Sequence, residues 1–147
     1  MMEEKEKAWK TVSSKYLFRR PWLTVRCEDM LLPNGNHIPE YYILEYPDWV
    51  NTIAITKDGK FVFVRQYRPG LGRTSYELCA GVCDKEDASP LVSAQRELWE
   101  ETGYGKGNWQ EYMVISANPS THTNLTHCFL ATDVEPIDHQ HLEDTED

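Results

Sequence analysis

The fold of this protein is decided by residues 81–104, which read GVCDKEDASPLVSAQRELWEETGY. Ser89 is a residue type that begins helices, Pro90 is tolerated in a first helical turn, and Gly103 is typical of a helix end. Between these signals the apolar residues recur at helical spacing, which predicts one apolar stripe packed on a core. The sequence therefore predicts a helix of about thirteen residues between Ser89 and Gly103.

Three glutamates crowd the second half of this helix. Glu97 precedes Glu100 and Glu101 by three and four residues, so the three carboxylates are neighbours on the helix surface. Each like-charge pair costs about 0.2–0.5 kcal/mol if it is left bare, and a hard cation such as Mg²⁺ reverses that sign. Since Mg²⁺ keeps positions for water and phosphate oxygens, the pattern indicates a phosphate ester or anhydride as substrate. A solvated acidic helix face is the alternative for such a triplet taken alone.

Arg96 begins this acidic run and lies four residues before Glu100. At that spacing its guanidinium reaches the carboxylate and can orient it. The alternative is an ordinary surface ion pair, which contributes little to stability.

Residues Arg96–Tyr104 resemble the signature of the Nudix hydrolase family, in which a glycine and a spaced glutamate precede Arg-Glu-apolar-x-Glu-Glu-x-Gly-apolar. The second half of that signature is complete here. In the first half, fourteen residues separate Gly81 from Arg96, one more than the family pattern has, so the spaced acidic position is Glu86 or Asp87. So many defined positions at fixed offsets form a specific signal.

Segments on both sides of this motif resemble the ADP-ribose and ADP-sugar pyrophosphatases. Val64–Arg68 reads VRQYR and Glu77–Gly81 reads ELCAG, where that subfamily carries Arg-Gln-Tyr-Arg and Glu-Leu-Pro-Ala-Gly. Pro119 corresponds to a proline of the members that hydrolyse ADP-ribose, although it lies in Asn-Pro-Ser rather than Ser-Pro-Gly. The resemblance implies hydrolysis of a nucleoside diphosphate linked to a sugar, ADP-ribose foremost, to a nucleoside monophosphate and a sugar phosphate.

The resemblance also assigns the metal ligands and the general base. Mg²⁺, for which Mn²⁺ could substitute, is expected on the carboxylates of Glu97 and Glu101, with Glu100 as a third ligand or one that binds through water, and the resemblance adds the backbone carbonyl of Ala80. The base that activates water is assigned to the late acidic loop, with Glu146 first, followed by Asp144 and Glu143. Glu100, with a pKa raised by burial in the site, is the alternative base.

Further residues are assigned to the substrate. Arg68 is expected on the substrate phosphates, because a planar guanidinium binds them bidentately, and Glu77 on the substrate or the metal. Adenine is expected on Trp22, with Tyr41 or Tyr42 opposite, since flat rings bind a base face at low entropic cost. The alternatives are a structural Arg68 and buried core aromatics.

The expected fold class is α/β, a Nudix-type α/β/α sandwich with a mixed sheet. Residues 1–47 are expected to form a small antiparallel extension for dimerisation and base recognition, which implies a homodimer with shared sites. Residues 48–147 are expected to form the catalytic domain, truncated at the C-terminus so that a strand and a closing helix are missing.

The strand pattern predicts two hairpins and three further strands. The first hairpin joins Leu23–Leu32 to Ile38–Glu45 through a turn at Pro33–Asn36, and the second joins Asn51–Thr56 to Phe61–Tyr67. The further strands are expected at Tyr76–Leu78, Tyr112–Ser116 and Thr126–Thr132.

Composition excludes several classes of partner. The chain has 147 residues and a formal net charge of −9, from 15 basic and 24 acidic residues, which argues against binding to nucleic acid or to anionic membranes. The N-terminus carries no apolar stretch of a signal peptide or anchor, so a cytoplasmic location is expected. The four cysteines lack zinc-site spacing and are expected to be free thiols. Turn or surface positions are expected, rather than a metal cluster, for His122, His127, His139 and His141.

Two other classes of function remain open. A non-catalytic Nudix-like ligand-binding sensor would keep the fold, but the intact set of Glu97, Glu100 and Glu101 argues against it. A structural or interaction module would leave the acidic helix merely solvated. That interpretation does not explain why the arginine, the glutamates and the glycine fall in one frame.

Overall fold

The computed structural model describes residues 7–142, which are divided between two compact units. The chain up to Tyr46, together with Ser116–Asn124, forms an N-terminal unit, and Pro47–Ile115 with the chain from Leu125 onward forms a second unit. The segment Ser116–Asn124 joins the N-terminal unit through backbone hydrogen bonds to Leu44. The amide of Leu44 donates to the carbonyl of Thr121 at 2.8 Å, and the carbonyl of Leu44 accepts from the amide of Thr123 at 3.1 Å.

The N-terminal unit contains a three-stranded antiparallel sheet in the order β1-β2-β3. Its strands are β1 (Lys10–Arg20), β2 (Leu23–Leu31) and β3 (His37–Glu45). Pairing of β2 with β3 confirms the first predicted hairpin. Strand β1 was not predicted, because every one of its residues is exposed and its sequence shows no buried face. It is defined instead by its hydrogen bonds to β2, a partner that local sequence does not reveal.

Up to residue 142, the second unit contains one helix and a mixed sheet, as the α/β class requires. The helix is α1 (Pro90–Thr102). The strands are β4 (Trp49–Thr56), β5 (Phe61–Val62), β6 (Val64–Arg68), β7 (Arg73–Glu77), β8 (Cys79–Val82), β9 (Tyr104–Gly105), β10 (Asn108–Ile115) and β11 (Thr126–Pro136). The main sheet has the order β10-β11-β4-β5, with β8 also on β4 and β9 on β11. Strands β11 and β4 are parallel and the other pairs are antiparallel, so the predicted mixed sheet is confirmed.

The second predicted hairpin is wrong in part. Strand β4 turns back at residues 57–60 as expected, but β5 pairs with it only through Phe61 and Val62. The remainder of the predicted strand is β6, which forms a separate two-stranded ribbon with β7. Alternation of side chains predicts extended structure, but it does not choose between two antiparallel partners. The pairing of β6 with β7 was therefore not visible in the pattern.

Helix α1 has the predicted limits and packs through its predicted apolar stripe. The Ser89 hydroxyl accepts a hydrogen bond from the Val92 amide at 3.4 Å, and Gly103 takes a left-handed conformation with φ of 72°. Ala94 and Leu98 are fully buried against the sheet. Burying a leucine side chain contributes about 1.5–3 kcal/mol, so this contact fixes which face of α1 points away from the core.

Two further predictions concern the cysteines and the membrane. Cys27, Cys79, Cys83 and Cys128 are all free thiols, as expected. Three of them are buried, where they fill the core as small apolar side chains. Across residues 7–142, no helix has the length and apolar character needed to cross a membrane.

Candidate active site

Glu97 is held with its carboxylate directly against strand β8. A Cβ atom at Gly81 would overlap the carboxylate of Glu97, so the side chain can approach the strand this closely only because residue 81 is glycine. The Glu97 side chain is only 13% exposed. The glycine and the glutamate of the motif are therefore one structural element, although fifteen positions separate them in sequence.

Glu101 meets the neighbouring residue of the same strand. Its side chain is buried, and its Oε2 accepts a hydrogen bond from the backbone amide of Ala80 at 3.3 Å. Strand β8 is itself fixed by antiparallel pairing to β4, with Ala80 opposite Asn51. Two carboxylates from successive turns of α1 thus converge on Ala80 and Gly81.

The negative charge of Glu97 is unfavourable among its protein neighbours. The pKa of Glu97 is raised to about 7, chiefly by burial; the Arg96 guanidinium opposes this rise, and the neighbouring carboxylates of Glu101 and Glu100 add to it. A carboxylate with so high a pKa has a negative charge that its protein neighbours compensate poorly. A divalent cation beside it would favour the ionised form.

Arg96 is the cation that the protein itself supplies. Its Nη1 donates to Oε1 of Glu97 at 3.0 Å and to Oε2 of Glu100 at 2.9 Å, which confirms the predicted contact four residues along the helix. Its Nη2 donates to the carbonyl of Val82 at 3.1 Å, so the guanidinium also contacts β8. Arg96 therefore holds two of the three helix carboxylates, a name used below for Glu97, Glu100 and Glu101.

Asp87 anchors Arg96 from the loop before α1. Its Oδ2 accepts from the hydroxyl of Ser93 at 2.8 Å and from Nε and Nη2 of Arg96 at 3.2 and 3.1 Å. The hydrogen bond from Ser93, and then that from Arg96, hold the pKa of Asp87 below its usual value. Glu86 is exposed, whereas the Asp87 side chain is only 14% exposed. Of the two acidic residues left open by the spacing, Asp87 is the one that contacts the arginine.

The oxygen donors at β8 suit a hard divalent cation. Carboxylates and a backbone carbonyl are the ligand types that Mg²⁺ takes, and the carboxylates of Glu97 and Glu101 both lie against the backbone of β8 at Gly81 and Ala80. The helix carboxylates do not all lie within 4.8 Å of one another, because Arg96 draws Glu100 to itself while Glu101 accepts from Ala80. The raised pKa of Glu97 and the space that Gly81 leaves for its carboxylate both fit a cation bound there.

Arg68 and Glu77 lie together on the β6–β7 ribbon. Nε of Arg68 donates to both carboxylate oxygens of Glu77, at 3.1 and 3.0 Å, and Nη2 donates to Oε2 at 2.7 Å. The hydrogen bond from Arg68 is the main cause that lowers the pKa of Glu77. Both side chains remain partly exposed, so the pair is accessible from solvent.

The other predicted site residues lie elsewhere. Trp22, in the turn between β1 and β2, is 86% exposed. The ring of Tyr41 packs edge-on at 5.6 Å from Trp9, and its hydroxyl donates to the carbonyl of Ser120, while Tyr42 is partly exposed. Both tyrosines and Trp22 belong to the N-terminal unit. The candidates for the base in the late acidic loop lie outside the described residues, namely Glu143, Asp144 and Glu146.

Comparison with known proteins identifies relatives with named functions. The chain is 32% identical over 129 residues to an ADP-ribose pyrophosphatase of Bacillus subtilis, covering 88% of this chain and 69% of the relative. It is 33% identical over 122 residues to a methanol dehydrogenase activator of Bacillus methanolicus, covering 83% and 65%. An ADP-ribose pyrophosphatase of Mycobacterium tuberculosis is 28% identical over 132 residues, covering 90% and 63%. The chain thus spans about two thirds of the length of these relatives.

The fold and the domain families agree with these relatives. A crystal structure of an ADP compounds hydrolase superposes with a TM-score of 0.80 at 23% identity, covering 92% of this chain and 73% of that one, which shows a shared fold. Residues 9–44 match the nucleoside diphosphate sugar hydrolase N-terminal domain, and residues 46–147 match the NUDIX domain. Because the NUDIX match covers well over half of the chain, this protein belongs to the Nudix hydrolase family.

Proposed function

We propose that this protein hydrolyses the pyrophosphate bond of a nucleoside diphosphate linked to a sugar, ADP-ribose foremost, in a reaction that depends on Mg²⁺ or on Mn²⁺ in its place. The observation that carries the proposal is the convergence of Glu97 and Glu101 on strand β8 at Ala80 and Gly81. Two relatives named ADP-ribose pyrophosphatase, at 32% and 28% identity, support the choice of substrate class.

The proposed ligands are the carbonyl of Ala80 and the carboxylates of Glu97 and Glu101, with Glu100 as a third carboxylate or a ligand through water. Bound Mg²⁺ would neutralise the phosphate oxygens and make a bound water more acidic. Glu97 contributes a carboxylate whose pKa is raised by burial, so that a cation beside it would stabilise its ionised form. Glu101 contributes a carboxylate that accepts a hydrogen bond from the Ala80 amide. The contacts of both side chains with β8 support this choice of ligands.

Arg96 is proposed as the residue that positions the helix carboxylates. Its guanidinium bridges Glu97 and Glu100 and so reduces the repulsion between these like charges. The guanidinium also contacts Asp87 and the carbonyl of Val82. These contacts would keep it in place if Glu97 bound a metal ion instead of Arg96. Glu100, which accepts from Nη1 of Arg96, would take the proton of the attacking water, a role for which Glu146 and Asp144 are also candidates.

Substrate contacts are proposed for both units. Arg68 would bind the substrate phosphates, and Glu77 would hold the guanidinium in orientation or contact the substrate itself. Trp22, with Tyr41 or Tyr42, would stack on adenine. Trp22 is 86% exposed, so its ring is accessible to a base.

A homodimer is proposed through the N-terminal unit, residues 1–47 being the extension expected to mediate it. The exposed apolar side chains Val12, Leu17 and Phe18 lie on β1, whose residues are all exposed. A patch of this kind on an edge strand is usually covered by a partner. Sedimentation of the wild type as a dimer, and of Phe18→Asp as a monomer, tests the proposal. A monomeric wild type would contradict it. A cytoplasmic location stays a prediction.

The activity is tested with a panel of nucleoside diphosphate sugars and Mg²⁺. We expect release of a nucleoside monophosphate by the wild type and its loss in Glu101→Gln, with the circular dichroism spectrum retained. Glu86→Gln is the matched control, since it removes one exposed carboxylate from the loop before the same helix. Absence of Mg²⁺-dependent hydrolysis across the whole panel would contradict the proposal.

A second candidate function rests on one observation, the 33% identity to a protein named methanol dehydrogenase activator. This chain would then regulate another enzyme, as a non-catalytic ligand-binding sensor would. The helix carboxylates are all present, which favours the hydrolase. Ligand binding without hydrolysis across the same panel would favour the sensor.

A further inference from the structure

Asp138, His139 and His141 form a cluster of ligand atoms just beyond β11. One ligand atom from each residue lies within 4.8 Å of the others. Asp138 Oδ1 is 2.8 Å from Nδ1 of His139, and Oδ2 is 3.0 Å from Nε2 of His141. Two ligands of one tetrahedral zinc ion lie about 3.3 Å apart, given bonds of about 2.0–2.1 Å. Small side-chain shifts would therefore let all three residues coordinate one ion. We call Asp138, His139 and His141 the imidazole cluster.

The backbone of this segment is fixed to the end of α1 without help from the cluster itself. The amides of Ile137 and Asp138 donate to the carbonyl of Gly103 at 2.9 and 3.2 Å, and the amide of His141 donates to that of Glu100 at 2.8 Å. The side chain of Gln140 donates to the carbonyl of Glu101 at 2.6 Å. These bonds order the segment before any ion binds.

The rings of the cluster are also oriented by packing. The ring of His141 lies 4.5 Å from that of Trp99, and the ring of His139 lies 4.6 Å from that of His141. The sequence predicts turn or surface positions for these histidines, because no second liganding group recurs at the expected offsets. Bending of the chain after β11 brings Asp138 between them, which the sequence spacing does not reveal.

The electrostatic setting favours a cation. The segment lies at the C-terminal end of α1, where the helix dipole presents its negative end and where the last turn carries no basic residue. The carboxylate of Asp138 adds a negative charge, and His139, with its side chain 82% exposed, leaves the cluster open to ions from solvent.

We propose that Asp138, His139 and His141 bind one divalent transition metal ion of the zinc, cobalt, nickel or copper class, separately from the hard cation proposed at Glu97 and Glu101. Two imidazole nitrogens and one carboxylate suit these ions and not Mg²⁺, which takes oxygen ligands. Water completes the coordination, because the cluster is exposed on one side.

The bound ion would fasten the segment to the helix that carries the carboxylates. Gln140 and Leu142 line a cavity of about 340 Å³ together with Glu101, so residues flanking the cluster form one wall of that cavity. Occupancy by a transition metal would hold this wall in place and raise the stability of the second unit.

The untagged full chain is titrated with Co²⁺ in excess Mg²⁺, by visible absorption, and with Zn²⁺ by calorimetry. We expect one equivalent to bind with a cobalt spectrum of nitrogen and oxygen coordination. Affinity should fall about tenfold or more in His139→Ala/His141→Ala and in Asp138→Asn. His37→Ala is the matched control, because His37 is an exposed histidine paired with one carboxylate, Asp29, at 3.1 Å. It should bind as the wild type does.

Two results would overturn the inference. One is unchanged Co²⁺ and Zn²⁺ binding in the double histidine variant, and the other is binding that is lost in Glu97→Gln/Glu101→Gln but kept in the histidine variants. Circular dichroism checks folding, and the single variant His139→Ala, at a highly exposed position, gives the same comparison if the double variant does not fold. The readout is metal binding alone, so the result is independent of the proposed hydrolysis.

Discussion

The helix carboxylates and the imidazole cluster both adjoin α1, yet they are held in opposite ways. Glu101 is buried and Glu97 is half-buried against β8, and their positions depend on a backbone amide and on a glycine of that strand. The imidazole cluster is largely exposed and is held by backbone hydrogen bonds of its own segment. Burial raises the pKa of a carboxylate, so a neighbouring cation is needed to keep it ionised. Exposed imidazole nitrogens carry no such penalty, and their chemistry decides instead which metal ion is preferred.

The largest effect is expected for the charge of Glu101. Glu101→Gln keeps the size of the buried side chain but removes a negative charge from the proposed metal position, so kcat/KM should fall about 10²–10³-fold. Hydrolysis of ADP-ribose at saturating Mg²⁺ measures it, with Glu86→Gln as control. Equal losses in Glu101→Gln and in the control would show that the position of the carboxylate on the helix does not matter.

The next largest effect is a pH dependence of stability with opposite signs at the two regions. Glu97 has a raised pKa of about 7 against an ordinary value of 4.5, so its contribution to stability is complete below about pH 4.5 and is lost as pH rises through 7. The loss is at most about 3 kcal/mol. Asp138 has a lowered pKa, chiefly through its hydrogen bond with His141, so its contribution is lost instead as pH falls.

Urea unfolding in EDTA across this pH range measures both contributions. We expect Glu97→Gln to be more stable than the wild type at pH 8 and to lose the decline between pH 4.5 and 7. Asp138→Asn should change only the acidic limb of the profile. If Glu97→Gln and the wild type showed parallel profiles, the Glu97 carboxylate would not be desolvated in solution.

A third, smaller effect tests the space at Gly81. Gly81→Ala places a methyl group in the position of the Glu97 carboxylate, which must then move away from β8. Because the end of a flexible side chain can yield, stability should change by less than about 1 kcal/mol, while kcat/KM falls about tenfold to 10²-fold. Gly70→Ala is the control, since a Cβ there meets no atom within 4 Å. Loss of folding rather than of activity would show that the strand, not the carboxylate, is what the methyl group displaces.

Local signals predicted the helix and its carboxylates, and long-range contacts explain what they missed. Ser89 and Gly103 bound α1 because capping depends on a few neighbouring residues. The partner of β6 and the existence of β1 depend on pairing across the chain, so alternation did not reveal them. The imidazole cluster was missed for the same reason, because hydrogen bonds to the carbonyls of Gly103 and Glu100 fold its segment onto the helix end.

The smallest effect concerns Asp87, which supports the helix carboxylates indirectly through its contact with Arg96. Asp87→Asn keeps a carbonyl oxygen for Ser93 but loses the charge that holds Arg96, which should lower the free energy of unfolding by about 1–2 kcal/mol. Arg96 also donates to Glu97 and Glu100, so a looser guanidinium should lower kcat more than it raises KM. Glu86→Gln, one residue earlier and exposed, should change neither the unfolding midpoint in urea nor kcat. If Glu86→Gln rather than Asp87→Asn carried the effect, the acidic position of the loop would be Glu86.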